Sequence, residues 1–227
     1  CSSDLGGTLA RAYSNLGAFD KAVDQAAAAY AHLAPLGDHA AVQPALPVDL
    51  LLLEGEQRAL QGRVREALSL NAEAARLARV RLAAADPKRL EALLSLAWTH
   101  DLLDQPAQVV STLSELDALP RTDARTLPLL HQASIPLAYA HLQQGQLAQA
   151  LARLDWLMPG YRGTLGDARP VETEMARGCL ASVYLDAGLL PEAERTLARM
   201  REGLAGKVAP THRAGLLLRF AEARLQM

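Results

Sequence analysis

Apolar residues recur at every third or fourth position through most of the chain, and the pattern breaks at regular intervals. Five stretches show it: LARAYSNLGAFDKAVDQAAAA, LEGEQRALQGRVREALSLNAEA, LAWTHDLLDQPAQVVSTLSEL, LAYAHLQQGQLAQALARLDWL and LASVYLDAGLLPEAERTLARM. In each, one amphipathic stripe meets a tight turn and a second stripe follows, which predicts a pair of helices. The turns fall at Gly17, Gly62, Asp104, Gly145 and Gly188, with spacings of 45, 42, 41 and 43 residues. Such a period marks an internal repeat. Two residues past each turn stands an apolar residue or proline: Phe19, Val64, Pro106, Leu147 and Leu190. Three further on comes a small one: Ala22, Ala67, Val109, Ala150 and Ala193. Glycine at a helix end accepts the left-handed backbone that reverses the chain, and the small residue lets the second helix approach the first. A lone hairpin cannot bury its stripe, so it stacks on the next and a solenoid follows. Two departures stand out. Asp104 replaces the turn glycine, and Pro136 falls inside the first helix of the fourth pair, where it is expected to kink or delay that helix. The stretch THRAGLLLRFAEARLQM reads as one more helix whose partner is missing.

These residues resemble the tetratricopeptide repeat (TPR) family. The first repeat matches with Leu9, Ala10, Tyr13, Gly17, Phe19, Ala22, Ala26 and Ala29, and the fifth with Leu180, Ala181, Tyr184, Gly188, Leu190, Ala193, Leu197 and Met200. The period exceeds the family's usual 34 residues. It is similar to the longer variety of kinesin light chains and bacterial signalling proteins, in which a segment like L-G-x-x-H-P precedes the next helix; LGDH at 36–39 and LGDARP at 165–170 fall at such places. The resemblance implies an all-α, right-handed α-solenoid of about five TPR-like helix pairs plus a final helix. It would form one domain over 6–227, with repeats near 6–36, 46–82, 88–119, 127–159 and 170–206 and a last helix at 210–226.

The resemblance also implies that first helices line a concave groove for a protein or peptide partner. Aligned on the turns, the groove positions are Arg11 and Asn15, then Leu52 and Glu56, then Leu94, Trp98 and Asp101, then Ile135 and Tyr139, then Ser182 and Asp186. Trp98 and Tyr139 in adjacent repeats could form an apolar stripe that grips a peptide; the alternative is that both pack between helices, as most aromatics at helical spacing do. The expected function is a non-enzymatic interaction or regulatory region of a larger bacterial signalling or transcription-regulatory protein, with an effector domain upstream. One alternative is a lipidated envelope scaffold beginning at Cys1, and another is an effector domain that takes a small ligand in the groove.

Composition agrees with a helical fold. Half the residues are hydrophobic and 21% are charged, which excludes disorder. Aromatics make up 4% and Ile135 is the one isoleucine, so leucine and alanine must build the core. A net charge of −2 and a pI near 6.3 supply no field for nucleic acid or an anionic membrane. Lysine occurs at Lys21, Lys88 and Lys207, with arginine carrying the remaining positive charge, as a GC-rich bacterial genome would encode. No apolar run reaches the roughly 18 residues of a membrane span, so a cytoplasmic protein is expected, the alternative being a lipid-anchored periplasmic one.

No catalytic constellation emerges. His32, His39, His100, His131, His141 and His212 include no H-E-x-x-H pair and no close cysteine, so neither a metal nor a cofactor is expected. GYRGTLG at 160–166 lacks the lysine and hydroxyl residue of a phosphate loop and reads as a connecting loop. Arg76, Arg79, Arg81, Lys88 and Arg89 form a local basic cluster that reads as a solvated face. Cys179 has no base beside it in the sequence.

The opening residues CSSDLGG admit three readings. Cys1 could be the lipidated first residue of a mature lipoprotein, although the repeat pattern then starts with almost no tether. It could be a catalytic or metal residue, but nothing pairs with it. The reading preferred is that residues 1–5 resemble a translated sequencing adapter, TGC TCT TCC GAT CT, which would place the start of native protein near Gly6.

Overall fold

The structure, a computed structural model, describes residues 2–15, 18–33, 44–164, 170–208 and 212–226. Cys1, the turn residue Gly17, LGDH at 36–39 and residues 165–169 of LGDARP lie outside the described residues. Among those described, eleven α-helices follow one another: α1 (Ser2–Asn15), α2 (Phe19–Leu33), α3 (Leu46–Leu60), α4 (Val64–Arg81), α5 (Pro87–Leu102), α6 (Pro106–Leu113), α7 (Leu127–Gln143), α8 (Leu147–Thr164), α9 (Pro170–Asp186), α10 (Leu190–Leu204) and α11 (Arg213–Leu225). A 3-10 helix, Ser114–Ala118, continues α6. The chain divides into two compact units, Cys1–Leu129 and Leu130–Met227.

The turns are built alike. Gly62, Gly145 and Gly188 take φ of +77°, +72° and +71°, and Asp104 takes +56° in the same place. The next N–H reaches back five residues to the preceding helix: Arg63 to Arg58 (2.8 Å), Gln105 to His100 (3.0 Å), Gln146 to His141 (2.8 Å) and Leu189 to Tyr184 (2.8 Å). Ala18 makes the equivalent bond to Tyr13 at 2.9 Å. These bonds satisfy carbonyls that a helix end otherwise leaves open. In two repeats the side chains clasp the turn as well. His100 Nδ1 donates to Gln105 Oε1 at 2.8 Å, and His141 Nδ1 to Gln146 Oε1 at 2.7 Å.

Asp104 holds a conformation that an L side chain resists by about 1–2 kcal/mol. Asp104→Gly is therefore expected to stabilise the first unit by about 0.5–1 kcal/mol once glycine's greater freedom in the unfolded chain is set against the relieved strain. A higher urea midpoint at unchanged slope would show it; an unchanged or lower midpoint would mean the aspartate carries no strain there.

Helix approach within each pair depends on two small positions. Seven residues before the turns stand Ala10, Gly55, Ala97, Ala138 and Ala181, and five after them Ala22, Ala67, Val109, Ala150 and Ala193; all are buried. Gly55 has a specific reason to lack a Cβ, since one would lie 2.4 Å from Asn71 Oδ1. Asn71 fills a site in α4 where other second helices carry alanine or leucine, and it donates to Thr99 Oγ1 of α5 at 2.8 Å. That bond ties one repeat to the next.

In the first unit, α1 packs on α3 and α3 on α5, while each also packs on its own partner α2, α4 or α6. First helices thus form one layer and second helices the other. In the second unit, Ala138, Ala150, Leu154, Ala176, Leu180 and Val183 form a core from α7, α8 and α9. A further core joins Ala181, Leu197, Met200, Leu204, Ala214, Leu218 and Ala221 from α9, α10 and α11. α11 meets α9 and α10 as α5 meets α3 and α4, so it holds the place of a first helix.

Two expectations need correction. α7 starts at Leu127 and runs through Pro136 to Gln143 without delay. Proline removes one hydrogen bond, and here its ring is buried among the neighbouring helices rather than breaking the helix. Residues 160–164 of GYRGTLG belong to α8 and are not a loop, since glycine costs a helix about 1 kcal/mol but does not end it.

Candidate partner-binding face

The first helices of unit one share a register on their outward side. Thr8 and Arg11 in α1, Leu53, Glu56 and Leu60 in α3, and Ser95, Trp98 and Leu102 in α5 occupy matching positions three to four residues apart. The N-terminal part of this face is closed by ion pairs. Lys88 Nζ lies 2.7 Å from Asp49 Oδ1 and also pairs with Glu91, while Arg11 reaches Asp49 at 4.0 Å. Burial lowers the Lys88 ammonium's pKa, but its two carboxylate partners more than offset that and hold it above the usual range.

Around the C-terminal ends of α3 and α5 the face changes character. Leu60 is 61% exposed, Leu102 62% and Trp98 40%. Glu56 is exposed and Asp101 half-buried, and neither joins an ion pair among the described residues. Burial first, and then the charge of Asp104, raises the Asp101 carboxyl above its ordinary range. Of the other expected groove residues here, Leu52 is half-buried, whereas Leu94 is 4% exposed and offers almost no surface, because its side of α5 is covered by neighbouring helices. The side chain of Asn15 lies outside the described residues.

The expected positions in unit two serve the structure. Ile135 and Tyr139 pack against the core of α7, α8 and α9. Tyr139 Oη donates to the Cys179 carbonyl at 3.4 Å, and burial pushes its phenol well above the usual range. Tyr139 is thus packed among helices, whereas Trp98 keeps 40% of its surface exposed. Ser182 is 6% exposed and donates from Oγ to the Gly178 carbonyl at 3.1 Å. Asp186 pairs with Arg224 of α11.

No protein-family model and no curated protein matches the sequence. Solved structures do. The nearly identical TPR-like repeats of Podosopora anserina, named for a kinesin light chain, superpose with a TM-score of 0.68 at 21% identity, covering 92% of this chain and 99% of that one. BtubC of P. vanneervenii gives 0.66 at 17% identity over 92% and 83% of the two chains. A thermophilic TPR protein of Thermus thermophilus gives 0.61 at 17% identity over the whole of both. The fold is a TPR-like α-solenoid.

Within that fold, two cavities in the second unit avoid the candidate aromatics. One of about 260 Å3 is lined by Asp155, Arg177, Tyr184, Glu192, Arg195 and Arg199 among others, and one of about 610 Å3 lies between α10 and α11. Neither takes in Trp98 or Tyr139. No group of three metal-ligating side chains occurs among the described residues, and no helix among them is long and apolar enough to cross a membrane. The basic cluster is largely paired. Arg76 meets Glu73, Lys88 meets Asp49 and Glu91, and Arg79 and Arg89 both clasp Glu115. Burial raises the Glu115 carboxyl, but hydrogen bonds from the two arginines outweigh it and leave the group below its usual range.

Sequence reasoning missed Leu60 and Leu102. Each stands four residues after an expected groove position, Glu56 or Trp98, at the last residue of a first helix. That spacing was the available signal, but an apolar residue just before a turn looks like core.

Proposed function

We propose that this chain is a protein-interaction scaffold that holds a peptide segment of its partner on the first-helix face of unit one. The observation that carries the reading is the exposed set Leu60, Trp98 and Leu102, placed in matching register at the ends of two packed TPR-like helices. Large apolar side chains left together in water favour association, and a partly exposed tryptophan is a common anchor of binding energy. The reading gives the chain no chemistry of its own. Its wider form, a docking region of a larger bacterial signalling or transcription-regulatory protein, rests on the resemblance of the long-period repeats, and the DNA preceding codon 1 in an intact genome tests it.

The direct test selects random dodecapeptides against the full chain and measures the affinity of synthetic winners for the wild type and for Trp98→Ala. Trp98 keeps 40% of its surface exposed and buries the rest, so the substitution is expected to cost folding about 1–3 kcal/mol, with thermal melts showing that the variant stays folded, and to weaken binding at least about tenfold. Winners indifferent to Trp98→Ala would place the binding elsewhere and sink the reading.

A further inference from the structure

We infer that the segment held on this face is basic as well as apolar, presenting an arginine or lysine between large aliphatic or aromatic residues. The inference rests on the peptide-holding reading above and adds the chemistry of the partner.

The charges on unit one's first helices are unevenly satisfied. Asp49 and Glu91 are held by Lys88, Glu54 by Arg58 at 3.3 Å, and the cation Arg11 leans on Asp49. Glu56 and Asp101 have no cation among the described residues, and they stand beside the apolar set Leu60, Trp98 and Leu102. Covering that set removes water from both carboxylates. A carboxylate stripped of water without a partner is strongly disfavoured, so whatever seals the apolar set must bring positive charge with it.

Two further features have the same sign. Leu60 and Leu102 end α3 and α5, so the patch lies at the negative ends of two helix dipoles, where cations are favoured. Asp104 adds a third carboxylate close enough to raise Asp101. An acidic segment would meet all of these as like charges. A guanidinium has a further option, because the exposed indole of Trp98 can take its flat face.

The dodecapeptide selection reads both layers if winners are titrated by fluorescence anisotropy against wild type, Trp98→Ala, Asp101→Asn and Glu56→Gln. Asparagine and glutamine preserve shape at half-buried and exposed sites, and thermal melts confirm that each variant folds. The expected result is winners rich in arginine or lysine among leucine, phenylalanine or tryptophan, weakened about tenfold or more by Trp98→Ala and about fivefold by Asp101→Asn or Glu56→Gln. Winners that need Trp98 but are neutral or acidic overturn the basic-segment inference and leave the peptide-holding reading standing. Basic winners that ignore both carboxylate variants overturn it equally. If no winner depends on Trp98, or none is enriched, both ideas fall.

Discussion

Arg177→Met is expected to destabilise the second unit by about 3–5 kcal/mol. Arg177 of α9 is 11% exposed at its side chain and its partner Glu174 is 9% exposed. Arg177 Nη1 donates to both oxygens of Glu174, at 2.6 and 2.5 Å, and lies 3.4 Å from the Arg199 carbonyl. Glu174 has little freedom to escape. A Cβ built on Gly203 of α10 would sit 2.2 Å from its carboxyl carbon, so the carboxylate occupies the space that glycine leaves. Removing the guanidinium strands a negative charge between two helices. The cavity of about 260 Å3 on which Arg177 borders admits some water and moves the cost toward the lower end of that range.

The discriminating comparison is the double variant Glu174→Met/Arg177→Met. Replacing both members of a buried pair by apolar residues of similar size is often close to neutral, so the double variant should recover most of what the single one loses. Urea unfolding, with hydrogen exchange of the α9 and α10 amides to localise the effect, measures both. A double variant as unstable as Arg177→Met would show that packing, not charge pairing, accounts for the loss.

This pair also marks where sequence reasoning stops. Glutamate and arginine three residues apart read as a solvated helix surface, and only the absence of a side chain at Gly203 makes their site an interior. The basic cluster has the same logic, since Glu115, in the 3-10 turn after α6, reaches Arg79 of the preceding helix pair as well as Arg89 of α5. By contrast the period, the turn positions and the small residues after each turn were legible, because they are local. A left-handed residue after an amphipathic stripe means the same thing wherever it occurs, and Asp104 takes that conformation without glycine. The candidate site was half legible. Register placed Trp98 and Glu56 on the outward side, yet it treated Trp98 and Tyr139 alike. What separates them is a carbonyl on the next first helix, which accepts the tyrosine hydroxyl and draws the ring inward. Leu94 and Leu52 likewise share a register and differ in how much a neighbour covers them.

Gly178→Val is expected to loosen α11 from the second unit at a cost of about 2–3 kcal/mol. Three helices meet at Gly178. A Cβ there would stand 2.6 Å from Leu217 Cδ2 of α11, and 3.0 Å from both Leu217 Cγ and the Met200 methyl of α10. Met200 is fully buried and its flexible tip can yield a little, but a branched side chain at 178 leaves α11 no way to keep its distance. α11 is otherwise held by the buried Ala214, Leu218 and Ala221 and by surface pairs. Those pairs, Arg201 with Glu222 and Arg224 with Asp186, are partly exposed and contribute at most about 1 kcal/mol each. Hydrogen exchange should therefore show α11 amides losing protection first, with α9 and α10 following only partly. Adding Leu217→Ala removes the side chain that collides, and it should restore a good part of the loss even though on its own it deletes buried surface. Coupling of that sign between residues in direct contact is what a steric mechanism demands. Protection of α11 that survives Gly178→Val, or a Leu217→Ala change that only adds to the damage, would mean that the close approach of α9 and α11 is not what fixes the last helix.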